Sequence, residues 1–239
     1  MPGRAQVLVT GQIYHVFNRG IDHRPTFVGR RELGRGKELI NFYQFQNLPV
    51  RYSVFQFWSI EKQLAFFQSQ REKGKHLVDI IAYCLMPNHF HILLRQSVEG
   101  GISRYLSNFQ NSYTRYYNTR KRRVGPLFLD QFKAVRIEND EQLFHVSRYI
   151  HLNPLTSYVV KAVEELTNYQ WSSLPEYLGN KGDEVLDTKI ILTAFKGKNA
   201  FTSFVFDQVD YQRKLAAIRH LSFEEEQFSL GAIAISPPR

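Results

Sequence analysis

Apolar and polar positions repeat along the chain with two different periods, and the changes of period predict the order of its strands and helices. Residues 12–19 alternate almost strictly and are rich in β-branched and aromatic side chains, which predicts a strand. Residues 30–46 have a helical pattern, although two glycines weaken its start. Residues 50–74 are rich in aromatic side chains but show no clear period, and this segment is long enough to contain a second helix. The apolar segments 79–86 and 89–95 flank a Pro-Asn pair and predict antiparallel strands around a tight connection.

The following segments continue this alternation. Apolar side chains at helical spacing predict a helix over residues 101–123, and a two-residue period predicts a short strand over 132–137. The next helix can be capped by Asn139 or Asp140. It should end near Asn153, because the proline that follows disfavours helical geometry in the residue before it.

This order of elements predicts an α+β protein, in which helices pack on one face of an antiparallel sheet. We divide the chain into a core domain, residues 1–158, and a C-terminal extension, residues 159–239, which we expect to be mainly helical and packed on or beside the core. Within the extension we expect a glycine turn at 179–182, helical segments to about residue 226, and a frayed end.

Charge and cysteine content narrow the function classes. The chain has 31 Lys and Arg residues against 22 Asp and Glu, a net charge of +9, and such a basic surface attracts polyanions. Aromatic residues make up 14% of it, and exposed rings in a basic groove can stack on bases. The single cysteine, Cys84, excludes an internal disulfide and a cysteine-cluster zinc site; its apolar surroundings predict a core residue, and we expect a reducing cytoplasm. No apolar run is long enough to span a bilayer.

Two constellations can carry chemistry. His89 and His91 are two residues apart on a predicted strand, so both imidazoles point to the same face and can hold a metal at a fixed separation. Tyr149 and Asn153 are four residues apart on the last predicted helix, with His145 one turn earlier on the same face. The plainer interpretations are two partly exposed histidines on a sheet, a half-buried core tyrosine and a polar residue at a helix end.

The two constellations together would suit phosphodiester chemistry. A tyrosine hydroxyl, with an ordinary pKa near 10, is a weak nucleophile without help. A cation at His89, His91 and Asn153 could polarise the scissile phosphate while Tyr149 attacks in line. The product, a phosphotyrosine, keeps the energy of the broken bond, so a second hydroxyl can rejoin the strands.

A third feature is a basic and aromatic helix end that can track phosphates and stack on bases. Its plainer interpretation is a solvated, charged helix end. Tyr116 and Tyr117 are rival nucleophiles, but neither has an amide four residues further on. The predicted DNA-binding residues are Arg19, Arg115, Tyr116, Arg120, Lys121, Arg122 and Arg123.

Taken together, these motifs resemble a known family. YCLMPNHFHILL at residues 83–94 is similar to the signature of single-tyrosine HUH transposases, and most similar to the REP-associated tyrosine transposases. The resemblance continues through YHVFNRG at 14–20, GPLFLDQFKAV at 125–135 and SRYIHLNP at 147–154, with a weaker echo in YQWSSLPEYLG at 169–179.

The resemblance implies a ferredoxin-like fold and a nucleoid-associated enzyme that cleaves and transfers single-stranded DNA at hairpins, with Mg²⁺ or Mn²⁺ and a transient 5′-phosphotyrosine. By motif matching, Tyr149 is the nucleophile, and His89, His91 and Asn153 are the metal ligands. A monomer is favoured over a dimer. Two departures from compact members are the longer segment 49–76 and the tail beyond 180, which carries no assignable motif.

Three other functions fit parts of the pattern. A protein of the same fold that has lost turnover would bind hairpins only. A nuclease using activated water would form no covalent intermediate, and an RNA-binding protein would bind without metal or cleavage. Covalent capture of DNA, lost on replacing Tyr149 by phenylalanine, separates the transferase from all three.

Overall fold

The structure, a computed structural model, describes residues 7–179, 186–195, 197–207 and 209. The strands are β1 (Ile13–Arg19), β2 (Val78–Leu85), β3 (His89–Gln96) and β4 (Lys133–Arg136). The helices are α1 (Arg30–Tyr43), α2 (Tyr52–Phe55), α3 (Ile60–Lys73), α4 (Gly101–Lys121), α5 (Asp140–Thr156), α6 (Val163–Thr167), α7 (Leu174–Tyr177), α8 (Lys189–Leu192) and α9 (Lys198–Phe206).

The four strands form one antiparallel sheet in the order β2-β3-β1-β4. Helices α1 and α4 lie in the connections from β1 to β2 and from β3 to β4, which gives the ferredoxin-like arrangement of strands. The two central strands pair so that Phe17 lies opposite His91 and His15 lies opposite Leu93. The predicted α+β fold class, with a helical C-terminal portion, is confirmed.

Helices cover both faces of the sheet, so the expectation that they lie on one face was wrong. Phe90 and Ile92 of β3 belong to a core shared with Phe109 of α4. Leu93 points the other way, into a second core that includes Ile150 of α5. The physical signal was in the sequence, because β2 is apolar at every position except Asp79 and β3 contains the apolar run 92–94, which is typical of strands buried on both faces.

Helix α5 begins as predicted and ends later than predicted. The side chain of Asn139 accepts a hydrogen bond of 2.8 Å from the backbone N–H of Gln142, which caps the helix. Pro154 lies inside the helix, which continues to Thr156. Proline removes a single intrahelical hydrogen bond near the last turn, and the burial of Leu155 in the core offsets that loss.

The ambiguous segment 50–74 forms two helices around an aromatic cluster. Ser59 caps α3 by accepting a hydrogen bond from a backbone N–H, and Gly74 ends it in the left-handed conformation, with φ of 59°. The ring of Phe55 lies 4.8 Å from that of Phe42 in α1 and 5.0 Å from that of Phe66 in α3, measured between centroids. The insertion is therefore packed against α1 rather than looped out.

The described part of the C-terminal extension packs beside α5. Tyr177 and Phe201 are fully buried there, and the hydroxyl of Tyr177 donates to the carbonyl of Ile81 in β2. The boundary at residue 158 stays a prediction, and most of the expected turn at 179–182 and the residues after 209 lie outside the described part. No helix among the described residues is long and apolar enough to cross a membrane.

Candidate active site

The two predicted metal-binding histidines lie side by side on β3. Their side chains point to the face of the sheet that α5 covers, whereas Phe90 between them points to the α4 side. The rings of His89 and His91 are 4.9 Å apart between centroids and nearly perpendicular. His91 is buried, at 4% exposure, and His89 is half-buried.

Tyr149 lies beside this pair. Helix α5 crosses the sheet so that the ring of Tyr149 is 5.4 Å from the ring of His91, edge to face, and 6.1 Å from the ring of His15. The side chain is half-buried rather than enclosed in the core. A strand residue and a helix residue 58 positions later in the chain thus meet, as the proposed chemistry requires.

Asn153 is one turn further along the same helix and is 3% exposed. Its amide oxygen accepts a hydrogen bond of 3.2 Å from the hydroxyl of Ser157, and in the described structure it makes no hydrogen bond to either histidine. Serving as a metal ligand would therefore require this amide oxygen to exchange the serine for the cation. Its role stays a prediction.

The donor atoms suit a cation held by two histidines and a neutral third group. His89 Nδ1 is 2.6 Å from the side-chain oxygen of Asn88, and His91 Nδ1 is 2.9 Å from Nε2 of His15. Each ring therefore uses Nδ1 for a neighbour and keeps Nε2 for a ligand, which is the usual pattern of metal-binding histidines. Within the described residues no group of three His, Cys, Asp or Glu side chains could hold a metal. A metal site at the histidine pair would need a third ligand of another type, such as an amide.

Burial keeps these histidines neutral. Loss of hydration lowers the pKa of His15 to about 3 and that of His89 to about 4, and it lowers the pKa of His91 well below its usual value. The positive charge of Arg19 acts in the same direction on His89. Neutral imidazole is the form that can coordinate a metal.

His15 is the residue that the sequence analysis missed. It is 3% exposed, it contacts His91 through Nε2, and its own Nδ1 is buried with no hydrogen-bond partner in the described structure. Its position within YHVFNRG, on the same strand face as Phe17, was the available signal. What could not be read from sequence was that β1 pairs with β3 in the register that brings the two rings together.

Of the predicted DNA-binding residues, only Arg19 lies near the histidines. It pairs with His89 across β1 and β3, and its guanidinium is 2.8 Å from Nε2 of His23. The others lie on α4 or just after it, and α4 packs on the opposite face of the sheet.

The α4 residues have different surroundings. Arg120 and Lys121 both contact the carboxylate of Glu32, at 3.1 and 3.5 Å, and Glu32 is buried. Arg115 is exposed, and Arg123 donates to Asn118 at 2.6 Å. Arg122 ends the helix in the left-handed conformation.

The rival nucleophiles are on that far side as well. The hydroxyl of Tyr117 donates to the carbonyl of Pro25 at 3.1 Å, and the ring of Tyr116 lies under the guanidinium of Arg35, 4.7 Å from its carbon. His145, on α5, accepts a hydrogen bond of 2.6 Å at Nδ1 from the guanidinium of Arg148 rather than joining the histidine pair. Tyr149 is the tyrosine that the fold brings to that pair.

Comparison with known families finds a match over the middle of the chain. Residues 48–153 match the model of the IS200-like transposase family, a segment that includes both histidines and Tyr149. The resemblance found in the sequence motifs is therefore confirmed over this segment. Strand β1, with His15 and Arg19, precedes the matched residues.

A solved structure has a similar fold. The fold resembles that of a REP-associated tyrosine transposase bound to a REP hairpin, with a TM-score of 0.51 over 78% of this chain and 94% of that one. At 13% sequence identity, this likeness shows a shared fold. No curated protein matches the sequence significantly.

Proposed function

We propose that the protein is a metal-dependent transferase of single-stranded DNA that acts at hairpins through a tyrosine-linked intermediate. The observation that carries the proposal is the position of the Tyr149 ring, 5.4 Å from His91, over the strand face that also bears His89. Hairpin DNA is proposed from the motif resemblance and from the structural relative, which holds such a hairpin.

The residues divide the chemistry as follows. The hydroxyl oxygen of Tyr149 attacks the phosphorus, a phosphorus–oxygen bond to the tyrosine forms, and the bond to the 3′ oxygen breaks. The phenolic proton leaves to solvent, and the departing 3′ oxygen takes up a proton, so the products are a 5′-phosphotyrosine and a free 3′ hydroxyl. Attack by another 3′ hydroxyl reverses these steps and joins two strands.

The histidine pair and its neighbours would stabilise the negative charge of the phosphate. A divalent cation such as Mg²⁺ or Mn²⁺, held by His89, His91 and Asn153, would supply neutralisation of the phosphate oxygens. His15 holds the His91 ring in place through its 2.9 Å contact. Arg19, opposite His89, adds a positive charge where the phosphate would lie. Imidazole and amide are neutral ligands and leave the cation its full charge.

A covalent-capture assay tests the proposal. A labelled single-stranded DNA hairpin with flanking strands is incubated with Mg²⁺ or Mn²⁺, and the products are separated under denaturing conditions. Wild type and Tyr117→Phe, which loses a phenol on the far side of the sheet, should both form a protein–DNA adduct and a free 3′ hydroxyl. Tyr149→Phe and samples with chelator should form none.

The other outcomes choose between the alternatives. Cleavage without an adduct would indicate a nuclease that uses water, and hairpin binding without cleavage would indicate a protein that has kept only recognition. Preferred binding of a matched RNA hairpin would favour an RNA-binding protein. An adduct that persists in Tyr149→Phe would assign the nucleophile to another tyrosine.

A further inference from the structure

The insertion after α1 encloses a groove against α4, which we name the α2–α4 groove. One wall is α4, from Arg104 to Arg120, and the other is formed by residues 43–53 and Gln56. Its volume is about 1190 Å³, more than the roughly 300–1,000 Å³ of ordinary small-molecule sites. The groove exists because of the segment that departs from compact members of the family.

The charged side chains that line the groove are all positive. Five arginines line it, and no Asp or Glu is among its described lining residues: the five are Arg35, Arg51, Arg104, Arg115 and Arg120. Arg35 is paired with the exposed carboxylate of Glu38, and Arg120 with the buried carboxylate of Glu32. The remaining three are exposed and form no ion pair within the described structure. A groove with this balance attracts a polyanion.

The α4 wall of the groove offers more than charge. Along α4, Arg104, Asn108, Asn111 and Arg115 follow one another at spacings of four, three and four residues, so they share one face of the helix. This face spans about 16 Å. Side-chain amides can donate to and accept from base edges. Tyr116, half-buried at the end of the stripe, has one ring face against the guanidinium of Arg35, and the other face is the one that could stack on a base.

Such a lining suits unpaired nucleotides better than a duplex. The faces of bases in a duplex are covered by their neighbours, so ring stacking is available only to an unpaired strand. Because α4 packs on the Phe90 and Ile92 face of β3, this site is on the other side of the sheet from His89, His91 and Tyr149.

We propose that the α2–α4 groove binds an unpaired stretch of about four nucleotides of the substrate DNA, away from the phosphate that Tyr149 attacks. The inference rests on the proposed function for the identity of the DNA. The groove would hold the substrate by a second contact, and its selectivity would depend on unpaired bases rather than on the hairpin stem.

Binding without catalysis tests the groove. Fluorescence anisotropy is measured with the full chain, in chelator, using a DNA hairpin with a ten-nucleotide unpaired tail and the same hairpin with a blunt end. Wild type should bind the tailed hairpin at least tenfold more tightly. Arg51→Glu with Arg104→Glu, one change on each wall, should remove that preference and lower the salt slope by about 1.4, or about 0.7 for each lost phosphate contact.

A matched control separates the groove from overall charge. Lys62→Glu with Lys73→Glu changes the net charge equally on α3, outside the groove, and should keep the preference for the tail. Equal losses in both double variants, an unchanged preference in the groove variant, or tighter binding of an RNA tail than of the DNA tail would overturn the proposal. Because this experiment measures binding without cleavage, its result can be interpreted even if the covalent-capture assay with Tyr149 fails.

Discussion

Replacing His15 should weaken metal binding although His15 is not itself a predicted ligand. Its Nε2 is 2.9 Å from Nδ1 of His91, and the two side chains are 3% and 4% exposed, so water cannot readily take its place. In His15→Leu the Nδ1 of His91 loses its partner, which costs about 1–3 kcal/mol for a buried polar group. The ring also loses its fixed orientation. Loss of such a supporting contact typically weakens metal affinity about 10- to 100-fold, or about 1.4–2.7 kcal/mol.

Titration with Mn²⁺, followed by the loss of its free electron paramagnetic resonance signal, measures this affinity without DNA or turnover. We expect the Mn²⁺ affinity to decrease from wild type to His15→Gln and further to His15→Leu, because a glutamine amide can partly replace the imidazole. His151→Gln is the control: His151 is fully buried and hydrogen-bonded to Ser173, and it does not contact the histidine pair. Equal Mn²⁺ affinity in wild type and His15→Leu, with both proteins folded, would refute the supporting role.

Two further predictions concern stability. Burial lowers the pKa of His151 to about 3 in the folded protein, against 6.5 when unfolded. The unfolded chain therefore binds more protons between these values, and stability falls as pH is lowered through this window. Between pH 7 and pH 5 we expect urea denaturation to show a loss of about 2 kcal/mol from this group, and an identical pH slope in His151→Gln would contradict the assignment. Gly101→Ala should destabilise the protein by about 2 kcal/mol or more, because the added Cβ would collide with the carbonyl oxygen of Leu77. The same urea denaturation measures this loss of stability. A change below about 0.5 kcal/mol would show that the backbone adjusts.

Much of the fold followed from periodicity, and the reasons for the failures are local. Every predicted strand is present. The first and last were predicted from alternation, and the two between them from short apolar runs bounded by turn residues. The end of α5 was misplaced because the tendency of Pro154 to stop a helix competes with burial of Leu155, and only the folded structure decides that balance.

The candidate site was predictable only in part. His89 and His91 could be placed on one strand face from their spacing alone, and Tyr149 could be added through the motif resemblance. Sequence spacing gives no information about contacts between distant segments, so the pairing of His15 with His91 needed the register of two strands. Residues 120–123 looked like a single basic patch, yet Arg120 and Lys121 face a buried carboxylate on another helix.

The contacts of the C-terminal extension with β2 have a consequence for self-association. Several outward backbone groups of this edge strand already have partners. The N–H of Leu85 donates to the carbonyl of Trp171, the N–H of Ser173 donates to the carbonyl of Tyr83, and the hydroxyl of Tyr177 donates to the carbonyl of Ile81. An open edge is the template by which sheets of different molecules join. Two copies of this chain therefore cannot merge their sheets here unless this cover peels away, whereas a chain cut at residue 158 would expose the edge.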